Sequence, residues 1–416
     1  MPEQTSSPDY KLTLTSSLFG AQIVFVVFGG LVTLPILTGL EPGVALLTAG
    51  VGTLIFQFIT QRKVPVFLAS SFAFLTPIMV AVKTWGIPAT MGGLMAAAFV
   101  YFVLSGLIKW KGIDILDLVF PPIVIGPIII VIGLILAPVA VSMALGKATA
   151  DSLIPPKIAL MVSLVSLAAT VIVSVLGKGR FRLVPILCGI LAGYLVSIPF
   201  GIIEFSQIVR APWIALPKFA LPQWNWKAIA FLLPAAIAPA IGHFGDILAI
   251  GAVTGRNYFK DPGFHRTLLG DGVSSLVAAC IGGPPSSAYA EVTGTVALTK
   301  LYNPAIMTWA AIFAIGLAFI AKLGAFIQTI PTPVTGGILI LLFGSIIVTG
   351  INHLVKIGQD LLHLRNLLIV TLMVVFGIGG IAFSAGAFSF NGVALATVIG
   401  IILNLVLPDH KADSTA

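Results

Sequence analysis

The chain has 416 residues, 58% of them hydrophobic and 9% charged, with a formal charge of +8 and a mean hydropathy of +1.12. A soluble domain carries about 25% charged residues, so this composition cannot coat a water-exposed surface and excludes a soluble globular protein. The positive balance fits an anionic partner such as nucleic acid, or the Lys and Arg of cytoplasmic loops, and in so apolar a chain the second reading is stronger.

Met1 to Lys11 is short, polar and without a cleavage pattern, so the first apolar run is expected to stay in the protein. Runs long enough to cross a bilayer, at roughly 20 residues each, begin near Leu12, Pro42, Val64, Met91, Leu116, Ile158, Leu183, Trp226, Thr267, Ser286, Pro304, Thr332, Asn366 and Asn391. The pattern predicts about fourteen segments, several of them short or broken by Gly and Pro. With the N-terminus inside, only Lys83, Lys147, Lys157, Arg210, Lys218, Lys227 and Lys322 of the 22 Lys and Arg residues fall outside. That bias predicts cytoplasmic termini and puts Trp213, Trp224 and Trp226 at the outer interface. Cys188 and Cys280 lie far apart in apolar stretches and read as small core residues rather than a disulfide. No stretch resembles a second, soluble domain, and the tail after Pro408 is too short for one.

Two stretches echo each other: Val66 to Phe74, which reads VFLASSFAF, and Gly282 to Glu291, which reads GGPPSSAYAE. Each places a Ser-Ser pair before small and aromatic residues at the start of an apolar run. They fall in segments 3 and 10, and an offset of seven makes the two copies cross in opposite directions. This is the pattern of inverted-repeat transporters, whose broken helices meet at a site near the membrane midplane. The other reading is a coincidence between small-residue helix contacts, which are common in membranes.

Asp246, Asp271 and Glu291 are the acidic residues not evidently in loops. A carboxylate deep in a bilayer costs several kcal/mol unless it is paired, hydrated or protonated, so it marks a functional candidate. Asp246 and Glu291 suit an amide-bearing solute, a proton or a sodium ion. The alternative is a polar contact between helices. Asp271, nearer a loop, is expected to cap or hydrate that end. His243, three residues before Asp246, can share a helix face with it, although a lone histidine is often a packing or hydrogen-bonding residue. No Walker A run, dinucleotide fingerprint or zinc-binding cluster appears, so the chain reads as neither an enzyme nor an ATP-driven pump, and an ion gradient is the expected energy source.

Across nearly its whole length the sequence resembles the nucleobase–ascorbate transporter (nucleobase:cation symporter-2) family, most of all its bacterial uracil permease branch. The blocks that carry the resemblance are Phe28-Gly29-Gly30, Ala69 to Phe74, Phe120-Pro121-Pro122, Lys260 to Arg266, Tyr289-Ala290-Glu291 followed by Gly294 and Thr299, and Ile330 to Gly337. The resemblance implies an all-α membrane protein of about fourteen segments in two inverted repeats of seven, with short antiparallel strands in segments 3 and 10. It divides the chain into a cytoplasmic tail (1–12), core regions at 13–112 (segments 1–4) and 226–325 (segments 8–11), gate regions at 113–225 (segments 5–7) and 326–407 (segments 12–14), and a second tail (408–416). It also implies that Glu291 accepts hydrogen bonds from ring N–H groups of a nucleobase. The backbone N–H groups of Phe72 and Ala290 donate to the carbonyls of the base. Ser71 borders the site, and Gly30 and Tyr289 line it. It further implies a bacterial inner-membrane location and a homodimer formed through the gate regions.

This chain departs from that pattern where it matters. Uracil permeases have a substrate-binding Glu where this chain has Gly242, and a proton-coupling His where it has Asp246. Four residues is one helical turn, so an acid stays on the same face, shifted by about 6 Å. Val292 stands for the motif Asn and Phe343 for a gate Tyr. The expectation is a proton-coupled nucleobase symporter taking uracil, xanthine or a related base, with Asp246, His243 and Glu291 as ion-coupling candidates. The pair Asp246 and Glu291 also suits sodium. No other cofactor or metal and no nucleic acid is expected, only the solute and membrane lipid. An anion carrier of the same architecture is the first alternative, which the two carboxylates oppose. A passive channel is the second; it calls for a continuous polar pore.

Overall fold

A computed structural model describes residues 10–112, 121–147, 154–178, 184–356, 361–385 and 388–408. Met1 to Asp9, the expected run starts at Leu116 and Leu183, Phe120 of the Phe-Pro-Pro block and the tail beyond Pro408 lie outside the described residues.

Among the described residues the chain folds into fourteen membrane-crossing segments. Segments 1 and 2 are the helices Leu14–Thr38 and Pro42–Ile59. Segment 3 opens with a strand, β1 (Leu68–Ser70), and a 3₁₀ turn, Phe72–Phe74, then enters the helix Leu75–Lys111, whose remainder is segment 4. Segments 5, 6 and 7 are Pro122–Ala144, Pro156–Leu176 and Pro185–Ser197. Segment 8 comprises Trp226–Leu232, a 3₁₀ turn at Pro234–Ala236, and Ile237–Thr254. Segment 9 is Phe264–Ile281. Segment 10 is a strand, β2 (Ser286–Ala288), and the helix Ala290–Thr299. Segments 11 to 14 are Ala305–Ala318, Thr332–Lys356, Leu364–Ile378 and Gly392–Val406.

Local chemistry explains the ends. Thr13 accepts from the N–H of Ser16 at the start of segment 1, and Gly39, in the left-handed conformation, closes it with its N–H on the Pro35 carbonyl. Proline opens segments 2, 5, 6 and 7, where its missing N–H has no helical partner to lose. Residues 72–111 as one 40-residue helix would reach about 60 Å, twice the roughly 30 Å hydrocarbon core. The chain therefore turns at Gly86, whose φ of 80° and ψ of 171° leave the helix. Seven described helices are long and apolar enough to cross a membrane alone, Phe72–Lys111 among them, and four shorter apolar helices form segments 7, 11, 13 and 14.

The packing repeats with a period of seven segments. Segment 2 lies on 9 and segment 5 on 12. Segment 4 lies on 9 as 11 lies on 2, and segment 1 on 11 as 8 on 4. Segment 6 lies on 7 as 13 on 14, and 12 on 6 as 5 on 13. An odd period means each matched pair crosses in opposite directions, so the halves are inverted repeats. Glycines allow the closest approaches. A Cβ on Gly336 would come within 2.2 Å of the Ala144 nitrogen, and one on Gly337 within 2.2 Å of the Ser163 carbonyl, so the Pro-Thr-Pro-Val-Thr-Gly-Gly block seats segment 12 against 5 and 6.

Two features were not expected from sequence. Short helices at Phe205–Arg210 and Ala321–Gln328 precede segments 8 and 12. A hairpin of β3 (Ala382–Ala385) and β4 (Phe388–Asn391) joins segments 13 and 14, pairing Phe383 with Phe390 and Ser384 with Ser389. Only β4, Phe-Ser-Phe-Asn, alternates apolar and polar, and over just four residues, a signal submerged in the apolar runs on either side.

Candidate functional site

The two strands meet inside the bundle. β1 and β2 pair antiparallel, with Leu68 opposite Ala288, Ala69 opposite Ser287 and Ser70 opposite Ser286. Both are pinned the same way. The Leu68 N–H donates to Thr53 Oγ1 of segment 2 at 2.9 Å, and the Ser286 N–H donates to Ser275 Oγ of segment 9 at 3.0 Å. Each hydroxyl in turn donates to the carbonyl of the residue it holds. Thr53 and Ser275 are thus repeat equivalents. By that equivalence and by the strand register, Leu68 to Phe72 match Ser286 to Ala290; the two stretches are a structural repeat, but the Ser70-Ser71 and Ser286-Ser287 pairs stand two positions out of step, and their likeness is a coincidence.

Helices begin immediately after both strands, so the orphan N–H groups of Phe72 and Ala290 lie at helix starts beside the strand crossing. Their positive dipole ends favour acceptor atoms of a ligand. Tyr289 bridges the crossing, its Oη donating to the Ser70 carbonyl at 2.6 Å. Its ring stacks on Phe72 at 6.2 Å and 25°, and Phe72 meets Phe343 edge-on at 5.9 Å.

A cavity of about 350 Å³ opens beside this pair. Its wall includes Ser71, Phe72, Tyr289 and Glu291 from the broken segments, Gly242 and Asp246 from segment 8, and Ile129 and Ile132 from segment 5. Glu291 sits in the first helical turn and bonds its own backbone N–H. Asp246 lies within electrostatic reach of both Glu291 and Asp271. A Cβ on Gly242 would meet nothing within 4 Å, so that glycine leaves open volume one turn from the Asp246 carboxylate. Two acids, two aromatic faces and two helix starts suit a small planar solute bearing both N–H and carbonyl groups.

Three readings fall elsewhere than expected: those of Gly30, His243 and Asp271. Gly30 stands behind Tyr289 rather than on the cavity wall; a Cβ there would come within 2.4 Å of the tyrosine ring. Ala290 contributes backbone at the helix start. His243 does not share the cavity face with Asp246. It is fully buried, its Nδ1 3.3 Å from Asp271 Oδ2, with Phe56 and Phe264 against its ring. Asp271 is likewise 0% exposed in mid-helix, which corrects its reading as a cap near a loop. It faces the interior because segment 9 is wrapped by segments 2, 4 and 8.

Segment 12 supplies wall residues that the sequence reading passed over: Ser345, Thr349 and His353, with Leu342 and Ile346. The three polar residues recur every four positions along a mostly apolar helix, which keeps them on one face. That spacing was the available signal. His353 abuts segment 8, since a Cβ on Gly245 would lie 3.2 Å from its ring. Cys188 and Cys280 are half-buried free thiols.

Fourteen crossings in inverted halves, with a cavity bearing two carboxylates beside the crossing of two broken segments, define a multi-pass membrane transporter. The chain belongs to the Permease family, whose model (Xan_ur_permease) matches residues 14–386. It is 51% identical over 398 residues to a protein of Haemophilus influenzae named "Probable uracil permease", covering 96% of this chain and 95% of that one. It is 40% identical to the uracil permease of Bacillus caldolyticus, covering 93% of this chain and 90% of that one. For the uracil permease of Escherichia coli K12 the identity is 37% and the coverage 92% and 89%. The fold is shared more widely. The transmembrane domain of a cyanobacterium bicarbonate transporter, BicA, aligns with a TM-score of 0.65 at 17% identity over 94% of this chain and 97% of that one. The murine anion transporter Slc26a9 aligns at 0.71 and 11% identity over 96% and 69%.

Proposed function

We propose that this protein is a secondary active transporter that takes up uracil or a closely related nucleobase by cation symport. The observation that carries this reading is the cavity wall in which Glu291 and Asp246 accompany the stacked pair Phe72 and Tyr289. A lactam ring offers N–H groups to a carboxylate and carbonyl oxygens to helix-start N–H groups. Glu291 would accept from the ring, and the N–H groups of Phe72 and Ala290 would donate to it. Ser71, Tyr289 and the space at Gly242 would complete the pocket, with Gly30 holding Tyr289 in place. The names of the relatives support the same class of solute.

Asp246 is our choice for the coupling group, with a proton as the ion. It faces the cavity and lies near a second acid, so one proton relieves the repulsion between them when the solute loads. Buried His243 would act through Asp271 and not by contact with the solute. Sodium held between Asp246 and Glu291 is the competing choice of ion. Segments 1–4 and 8–11 pack mainly among themselves, as do segments 5–7 and 12–14. That grouping supports core and gate bodies that rock against each other around the cavity to alternate access. We place both termini in the cytoplasm of a bacterial inner membrane on the Lys and Arg bias, and assign a homodimer to the gate side.

The bicarbonate and anion transporters share the fold, but two carboxylates in the wall repel an anion. Uptake of labelled uracil, xanthine, guanine and adenine into cells making the protein tests the reading, with and without sodium and across pH. Concentrative uptake of one base is expected. Absence of any accumulation, with the protein present in the membrane, overturns it.

A further inference from the structure

A second cavity, of about 290 Å³, continues from the first. The two share Phe72, Ala73 and Ile132 as a common wall. Three segments show that they lie in series. Along segment 3, Phe72 and Ala73 are followed by Thr76, Pro77 and Val80 in the second cavity. Along segment 5, Ile129 lines the first, Ile132 both, and Ile135 and Leu136 the second. Along segment 8, running the other way, Phe231 and Ala235 line the second, while Ala238, Gly242, Asp246 and Ala249 line the first. Phe231 and Ala249 are about 27 Å apart at helical rise, close to the roughly 30 Å of a hydrocarbon core. The two cavities together therefore run through most of the membrane.

Their chemistry differs. The first holds Asp246, Glu291 and the polar face of segment 12. Among its described lining residues the second has no charged side chain, and the Thr76 hydroxyl is the one polar side-chain group. A charged solute would lose its hydration there without a partner. A flat neutral ring loses far less than an ion, though still about 2–7 kcal/mol for each amide group left without a hydrogen bond, which the faces of Phe72 and Phe231 and the Thr76 hydroxyl offset in part.

We infer that the second cavity is an access chamber for planar, uncharged ring compounds on the far side of the site, and that the ring of Phe72 is the partition between the two. Phe72 can serve because it is held from both sides, stacked on Tyr289 and edge-on to Phe343. Phe343 belongs to segment 12 and Tyr289 to segment 10, so a movement of one segment relative to the other changes the support of the ring. The chemical class of the solute follows from the proposed function; the partition does not depend on it.

The test applies a small membrane-impermeant thiol reagent to one face at a time in vesicles of known orientation. The parent chain has Cys188 and Cys280 replaced by serine. Val80→Cys is expected to react from one face only and Thr349→Cys from the other. Adding Phe72→Ala is expected to speed the reaction of each from its disfavoured face at least tenfold. Reaction of both cysteines from the same face, or one-sided labelling unchanged by Phe72→Ala, overturns the inference. Val80→Trp, which fills the chamber, is expected to lower uracil uptake at least tenfold while binding by detergent-solubilised protein stays within twofold; unchanged uptake also overturns the chamber. If the parent protein neither binds nor carries any nucleobase, the proposed function fails, and the thiol reactivities still decide the partition.

Discussion

His243 and Asp246 are three residues apart on segment 8 but face different compartments: Asp246 opens into the cavity, and His243 is sealed behind it, 3.3 Å from Asp271. The cavity face of the helix is made by Ala238, Gly242, Gly245, Asp246 and Ala249. His243 lies about a third of a turn round from the centre of that face. The two residues should therefore respond differently to substitution.

Asp246→Asn should leave protein in the membrane and remove the pH dependence of uptake. The amide keeps the size of the side chain and cannot take up a proton. Uptake of labelled uracil measured across pH checks this; a profile identical to that of the parent protein assigns the coupling elsewhere.

Replacing one member of the His243 and Asp271 pair should destabilise the protein more than it alters substrate recognition. A buried polar group left without its partner costs about 1–3 kcal/mol. Asp271→Asn or His243→Ala should lower the thermal unfolding midpoint in detergent by several degrees. In the fraction still folded, the Kd for substrate should change by less than about threefold, or 0.7 kcal/mol.

Glu291→Gln should weaken nucleobase binding while the fold persists. A hydrogen bond to a charged acceptor is worth about 1.5–3 kcal/mol, or roughly 10- to 150-fold in Kd. Equilibrium binding reads the loss directly. Unaltered affinity would remove Glu291 from the contact set.

Gly30→Ala and Tyr289→Phe probe the same ring in different ways. A Cβ at position 30 would press within 2.4 Å of the Tyr289 ring and must displace it, so Gly30→Ala should lower affinity at least tenfold. Tyr289→Phe keeps the stack with Phe72 and loses the hydrogen bond to Ser70, worth about 1 kcal/mol. Its binding defect should be the smaller of the two in the same assay.

Glu41, at the loop that opens segment 2, bears on the pH dependence of stability. Burial raises its carboxyl above the ordinary glutamate range, against the opposing effects of Lys218 and of the Gln328 amide, which lies 3.4 Å away. The folded state holds this proton to higher pH than the unfolded chain does. The associated stability is complete at low pH and is lost as pH rises through the raised value. Thermal unfolding of the parent protein and of Glu41→Gln between about pH 4 and pH 7 should show the parent losing stability relative to the variant as pH rises.

Much of the architecture was legible along the chain because a membrane span is a property of consecutive residues. The starts expected at Pro42, Trp226, Ser286 and Thr332 coincide with the observed elements, and most others differ by a few residues. The broken segments were legible because Ser-Ser, Gly and Pro mark where a helix cannot continue, and Glu291 and Asp246 stood out because a carboxylate is costly in hydrocarbon. What only the tertiary structure decided is which way side chains point once fourteen segments pack. Helical spacing alone did not separate the cavity-facing Asp246 from the sealed His243, or bring Asp271 of segment 9 to that histidine. It did not put Gly30 behind Tyr289, or carry Ser345, Thr349 and His353 of segment 12 to the wall beside Asp246 and Glu291. Each of these depends on contacts between residues far apart in the chain, and the inverted packing of the two halves creates them.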